Sequence, residues 1–170
     1  NAARDVFENH ALVIKDDKIE AILPLQDAID QYEHKAEWTD LGEQVLIPGL
    51  VNAHGHAAMT LFRGLADDLP LMTWLNDHIW PAEGKFVSAE FCQDGTELAI
   101  AEMIRSGTTC YSDNYFFPKE TMHIIRESGI RAQLNFPILD FPTNWAQNAD
   151  EYIDKGYELV KEYKDDQQIQ

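Results

Sequence analysis

The chain is short of basic residues, of cysteine and of long apolar runs, and each shortage closes off a class of function. Thirteen Lys and Arg stand against 30 Asp and Glu, a formal net charge of −17 over 170 residues. Such a surface repels a phosphate backbone, so no nucleic-acid partner is expected. Solubility alone accounts for the charge. The two cysteines, Cys92 and Cys110, are too few for a disulfide framework and lack metal-ligand spacing. They sit among apolar neighbours and read as buried thiols in a reducing compartment. No apolar stretch approaches the roughly 18 residues of a membrane span, and no signal-peptide pattern opens the chain. The expected location is cytoplasmic, with no membrane partner. The sequence begins at Asn1 rather than Met, which leaves room for an upstream segment.

What is present suffices for one sizeable core: 45% of residues are hydrophobic and 11% aromatic. The stretch from Val45 to Leu65 organises the rest. An apolar run is broken by Pro48-Gly49, resumes as Leu50-Val51 and ends on His54-Gly55-His56. That pattern reads as a short buried strand bounded by turn signals. Side chains alternate along a strand, so His54 and His56 fall on the same face. Two imidazoles so placed can grip a divalent metal through ring nitrogens at about 2.0–2.1 Å. Gly55 between them lets a backbone or ligand come close. A chance His-x-His is the plainer reading, but the apolar strand, the Pro-Gly before it and the helix-like segment after it favour a metal site.

Residues 1–47 read as a small β-rich unit, marginal alone. Ala11–Ile14 and Ile19–Leu23 flank an acidic turn in a hairpin signature. Pro24 opens a short helix through Tyr32, and residues 36–41 and 44–47 are expected as further strands. Residues 57–87 form a long connection of the kind that is usually functional, with helical turns over 57–63 and 71–79. From Ser88, a good N-cap, the rhythm is regular. A helix with Cys92, Ala99 and Met103 on one face ends at Gly107, and Thr108–Ser112 is a strand running into Asp113-Asn114. A helix spans 118–128 and stops at Gly129, and a strand spans 130–139. A helix capped by Asn148 runs to Tyr163, with Ile153, Tyr157 and Val160 on one stripe. Three strand–helix units after Pro48 argue for an α/β fold with a parallel sheet. In a βα barrel the chemistry sits at the C-terminal strand ends, where the His pair, the 57–87 connection and Asp113-Asn114 all fall. A full barrel takes about 250 residues. About 120 follow Pro48 here, so residues 48–170 read as its first part.

Pro48-Gly-Leu-Val-Asn-Ala-His-Gly-His56, the block Met59-Thr-Leu-Phe-Arg-Gly-Leu-Ala-Asp-Asp-Leu69, Trp74-Leu75 and Trp80-Pro-Ala-Glu83 together resemble the amidohydrolase superfamily. Within it they are most similar to the 5-methylthioadenosine/S-adenosylhomocysteine deaminases. The resemblance implies a metal-dependent (βα)8 TIM barrel, of which about three βα units are present, beside a small β-sandwich domain to which residues 1–47 contribute. It implies that His54 and His56 are the first two ligands of one divalent ion, Zn2+ or alternatively Fe2+, and that Glu83 holds the ribose hydroxyls of a small-molecule nucleoside. Trp74, Trp80 and Phe62 are candidate pocket walls, although apolar rings more often simply pack. Asp113 and Asn114 are candidates to support the ligands. The family's remaining metal ligands and catalytic carboxylates have no counterpart here, and His78 and His123 fall inside helices. Relatives often carry Thr where this chain has Gly55, and can carry a basic residue near the substrate where it reads Asn135-Phe-Pro-Ile.

The implied reaction is hydrolytic deamination: hydroxide available near neutral pH adds to C6 of the adenine ring, and a carboxylate carries its proton to the departing ammonia. The alternatives are a guanine deaminase or s-triazine hydrolase, or an inactive segment lacking the remaining ligands. Two histidines alone hold zinc weakly, and the free edge of a three-stranded sheet invites a homo-oligomer.

Overall fold

The computed structural model describes residues 5–170. One compact unit runs up to Ile47 and a second from Pro48 to Gln170. In the first, β1 (His10–Lys15) and β2 (Lys18–Pro24) pair antiparallel, Ala11 opposite Leu23 and Val13 opposite Ala21. Asp16 takes a left-handed φ of 55° at the turn, which a short polar side chain tolerates. Pro24 cannot donate to the ladder and hands the chain to α1 (Leu25–Tyr32), which buries Ala28.

The strands expected over 36–41 and 44–47 do not form. Gly42 adopts a φ of 57° and its N–H donates to the Asp40 carboxylate at 2.8 Å, a turn that breaks the run. Val45, Leu46 and Ile47 stay exposed and find no partner strand among the described residues. An unpaired strand leaves its ladder groups unsatisfied, so apolar β-formers alone do not make one.

The second unit is a parallel sheet with helices between its strands. β3 (Leu50–Gly55), β4 (Thr108–Asn114) and β5 (Arg131–Asn135) lie in chain order. Gly55 is registered against Asp113, and Asn114 against Asn135. The last strand is shorter than the expected 130–139. Pro137 has no N–H to give, and residues 136–144 run out as a loop.

After β3 the chain makes a 3-10 turn (Ala57–Phe62). Helical backbone then runs through Leu71–Thr73 and a π-helical Trp74–Ile79 into α2 (Trp80–Phe86). The connection is thus more helical than expected, and Glu83 stands on a helix rather than in a loop. Pro81 cannot donate to the preceding turn, but it follows directly on the π-helical stretch, where the regular ladder is already interrupted.

α3 (Ala89–Arg105) begins at Ser88, whose hydroxyl accepts from the Phe91 N–H at 3.1 Å, a cap worth about 1 kcal/mol. α4 (Pro118–Ser128) ends on Gly129 at φ 76°. α5 (Ala149–Tyr163) begins at Asn148, which accepts from the Glu151 N–H. The buried face of α5 is not the expected stripe. Tyr152 and Gly156 are buried while Ile153, Tyr157 and Val160 are exposed, because the Phe136 ring lies where a Gly156 side chain would be.

Beyond α5 the chain returns to the sheet. Ile169 bridges Ala132 in parallel, and Leu134 N–H donates to the Gln170 carbonyl at 2.7 Å. Two apolar clusters support this arrangement. One gathers Ile100, Tyr111, Met122, Ile125 and Ile169 around the sheet. The other, which includes Ala58, Val87, Cys92, Tyr115 and Phe116, lies under the C-terminal strand ends.

Candidate active site

His54 lies near the C-terminal end of β3 and His56 one residue past it. Their rings meet edge to face with centroids 5.1 Å apart, and both are exposed. β4 fixes the second one: His56 Nδ1 is 2.6 Å from the Asn114 carbonyl oxygen. A carbonyl only accepts, so Nδ1 carries the proton and Nε2 keeps its lone pair. That is the donor state a metal-binding histidine needs, with the outer hydrogen bond setting its tautomer and ring orientation. The residues therefore fit a divalent ion as two of its donors. Among the described residues no group of three or more His, Cys, Asp and Glu comes together to complete the set.

The turn that leaves the His pair is held from two sides. The buried Asp113 carboxylate accepts the Ala57 N–H at 2.8 Å, so β4 pins the first residue after His56. Burial pushes the Asp113 carboxyl above its ordinary range, against the pull of N–H donors from Ala57 and Asn114 and of both histidines. From below, α3 approaches closely at Gly95. A side chain there would meet the backbone of Ala58, so only glycine lets the helix sit against the turn. Arg63 and Glu102 close the far end with two parallel hydrogen bonds, at 3.0 and 2.6 Å. Gly55 itself is not tightly confined. A Cβ there would stand 3.4 Å from Asn52 Nδ2 and 3.6 Å from the Ser112 carbonyl, which is ordinary contact.

Glu83 comes to the same end of the sheet on α2. Its Oε1 accepts from the Tyr115 hydroxyl at 2.9 Å, and the Tyr115 ring centroid is 6.3 Å from that of His56. Burial raises the Glu83 carboxyl above its ordinary range, opposed by the Tyr115 hydrogen bond and by His56. Beside Glu83 opens a cavity of about 280 Å³, whose lining includes Trp80, Phe116, Leu139 and Phe141. Its walls come from the segments that follow all three parallel strands. Asn144 holds the assembly together, donating to the carbonyls of Gly84 at 3.2 Å and Val87 at 2.8 Å. It supplies the C-terminal end of α2, where carbonyls lack helical partners, with the donor they need.

Sequence reasoning singles out His54, His56, Glu83 and Trp80, and the structure gathers these four at one end of the sheet. Trp74 is half-buried and does not line the cavity, and Phe62 packs on Phe91 with ring centroids 4.8 Å apart. Asp113 acts through its carboxylate, Asn114 through its backbone. Tyr115 and Asn144 escape a reading of the sequence. Tyr115 lies one residue beyond the strand end that Asp113-Asn114 marks, and that position is the available signal.

The sequence pattern of the amidohydrolase family matches residues 45–169. A 5-methylthioadenosine/S-adenosylhomocysteine deaminase from Saccharophagus degradans is 55% identical over 159 residues, 94% of this chain and 35% of that protein. A solved adenosine deaminase from Xanthomonas campestris with bound zinc aligns with a TM-score of 0.85 and 43% identity, over 98% of this chain and 38% of that one. A guanine deaminase from C. acetobutylicum, at 22% identity and a TM-score of 0.80, covers 98% of this chain and 41% of its own; at that identity it speaks for the fold alone. The chain spans about a third of the length of the curated relatives it matches. With the family pattern laid over the β3 histidines and nearly everything after them, this chain belongs to the amidohydrolase family.

Proposed function

We propose that the protein bearing this chain removes the 6-amino group of 5-methylthioadenosine or S-adenosylhomocysteine by hydrolysis, releasing ammonia and the inosine analogue. The observation that carries this reading is the His54–His56 pair at the end of β3. The tautomer of His56 is set by the Asn114 carbonyl, and a half-buried Glu83 is linked to the same corner through Tyr115. The names of the relatives point the same way.

In this reading His54 and His56 contribute two donors to one divalent ion. Zinc is favoured by the zinc-bound relative and by imidazole chemistry, with ferrous iron as the alternative. When bound, such an ion supplies hydroxide near neutral pH by lowering the pKa of water to about 7. The chain's own residues bind and orient. Asp113 fixes the turn after His56. Glu83, an acceptor-only group when ionised, takes both ribose hydroxyls while Tyr115 donates to one of its remaining lone pairs. Trp80 walls the adjoining cavity, and Trp74 has no part in it.

We read β3–β5 and the Ile169 bridge as successive members of a (βα)8 barrel. The strict strand–helix alternation and the new parallel pairing beyond α5 support this. The hairpin of the first unit is read as part of a small β-sandwich, and residues 1–47 and 48–170 as separate domains. Two free cysteines support a reducing, cytoplasmic setting. No helix among the described residues is long and apolar enough to cross a membrane. For the chain taken alone, exposed Leu50 and Val51 on β3, paired on one side only among the described residues, support self-association; in a closed barrel another strand takes that edge.

The test is ammonia release, with the adenine-to-hypoxanthine absorbance change, from zinc-supplemented purified protein given methylthioadenosine, S-adenosylhomocysteine or guanine. Turnover of a nucleoside that disappears in His56→Ala supports the assignment. Turnover of guanine alone would replace it with the guanine deaminase reading.

A further inference from the structure

The cavity beside Glu83 has a chemistry of its own. Its lining is aromatic and aliphatic on most sides, with Trp80, Val87, Phe116, Leu139 and Phe141 contributing, and Thr143 and Asn144 at the polar margin. Among the described residues, no Lys, Arg or His joins that lining. The nearest cation in sequence, Lys85, rests over the Phe86 ring at 4.8 Å. The polar groups at the margin are already engaged. Thr143 Oγ1 bonds the Tyr152 hydroxyl at 2.7 Å and the Trp145 N–H at 3.2 Å, and the Asn144 amide is committed to α2.

Position along the site decides what the cavity receives. His54, His56, Asp113 and Asn114 take no part in its lining, and Glu83 is the residue it shares with the proposed nucleoside site. A nucleoside with its C6 at the histidines and its ribose on Glu83 continues past Glu83 with its 5′ substituent. Resting on the deaminase reading, we propose that this cavity selects nucleosides with a short apolar 5′ group, methylthio or plain methyl, over those with a zwitterionic amino-acid tail. Burying a thioether among aromatic rings is favourable, sulfur–ring contact included. A carboxylate carried into the same place finds no cationic partner in the lining among the described residues, and an unpaired buried charge costs more than an unpaired neutral group.

The experiment compares kcat/KM for methylthioadenosine, 5′-deoxyadenosine and S-adenosylhomocysteine on the purified zinc-supplemented protein, with binding of the three measured calorimetrically. The expected result is a preference of about tenfold or more for the two apolar nucleosides, the scale of one missing charged partner. In Phe141→Arg, an exposed position that leaves the buried clusters alone, that preference falls several-fold. Equal or better use of S-adenosylhomocysteine by the unaltered protein overturns the inference and leaves the deaminase reading standing. If none of the three nucleosides binds or is deaminated, both readings fall together.

Discussion

Replacing Gly95 by alanine sets two physical effects against each other, and the structure says which wins. Gly95 is inside α3, where alanine is the better helix former by about 1 kcal/mol. Propensity alone therefore predicts stabilisation. The new methyl would stand 2.8 Å from the Ala58 Cα and nearer still to its carbonyl oxygen, against 3.4–4 Å for ordinary contact. Both atoms are backbone, and Asp113 and the Arg63–Glu102 pair hold the turn that carries them. The helix or the turn must move by about 1 Å to bring the carbonyl oxygen back to ordinary contact. Overpacking of that kind costs about 1–3 kcal/mol, and more than the usual middle value is expected where neither side can rotate away. Net of propensity, the loss is about 1–2 kcal/mol, a fall in Tm of about 3–8 °C for a chain of this size. The control is Gly84→Ala in α2, where nothing lies within 4 Å and propensity acts alone, so Tm holds or rises. Circular dichroism melts and urea titrations of the two variants decide the matter. A Gly95→Ala protein as stable as the parent would show that α3 and the turn are not in firm contact, and with it that the His pair is not braced from below.

Tyr115→Phe removes one hydroxyl from a buried ring. The Glu83 carboxylate loses its donor while the core keeps its shape, so KM for the nucleoside rises about tenfold with a smaller change in kcat; a fall in kcat alone would count against Glu83 as a binding group. Burial raises the carboxyls of Glu83 and Asp113, so the folded state holds their protons more tightly than the unfolded chain. Their contribution to stability is present below the ordinary carboxylate range and is lost as pH rises through their raised values. Asp113→Asn should flatten the fall of the metal-free stability profile just above the ordinary carboxylate range in urea titrations, and an unchanged slope would refute the assignment. The isolated 170-residue chain, with two imidazoles and no third ligand gathered among its described residues, should bind zinc at best in the micromolar range; nanomolar binding abolished by His54→Ala would show a complete site.

What can be read from the sequence depends on whether a local pattern also fixes a partner. His54 and His56 are legible because strand alternation and the Pro48-Gly49 break need no distant information. The α3 boundaries are legible because Ser88 and Gly107 are start and stop signals in themselves. Residues 36–47 have strand-forming side chains, but a strand exists only against a neighbour, and sequence does not name one. The stripe of α5 misleads for a related reason. Ile153, Tyr157 and Val160 have the right spacing, yet the face that packs is the one where Gly156 admits the Phe136 ring. Tyr115 and Asn144 matter through bonds to α2 and its C-terminal end that span 32 and 57 residues, and no periodicity reports those.

The order of strands across the sheet is the order of their synthesis. β3, β4 and β5 are laid down side by side, and the Ile169 pairing extends the same edge. Every pairing closes a loop to the strand just made, so each step meets a modest closure entropy and no later segment must thread between earlier ones. The Asn114 carbonyl and the Asp113 carboxylate, which brace His56 and its turn, both arrive with the second strand of that series. On a ribosome, the corner built by His54, His56 and their braces takes shape once β4 has emerged, with no later segment needed to hold it.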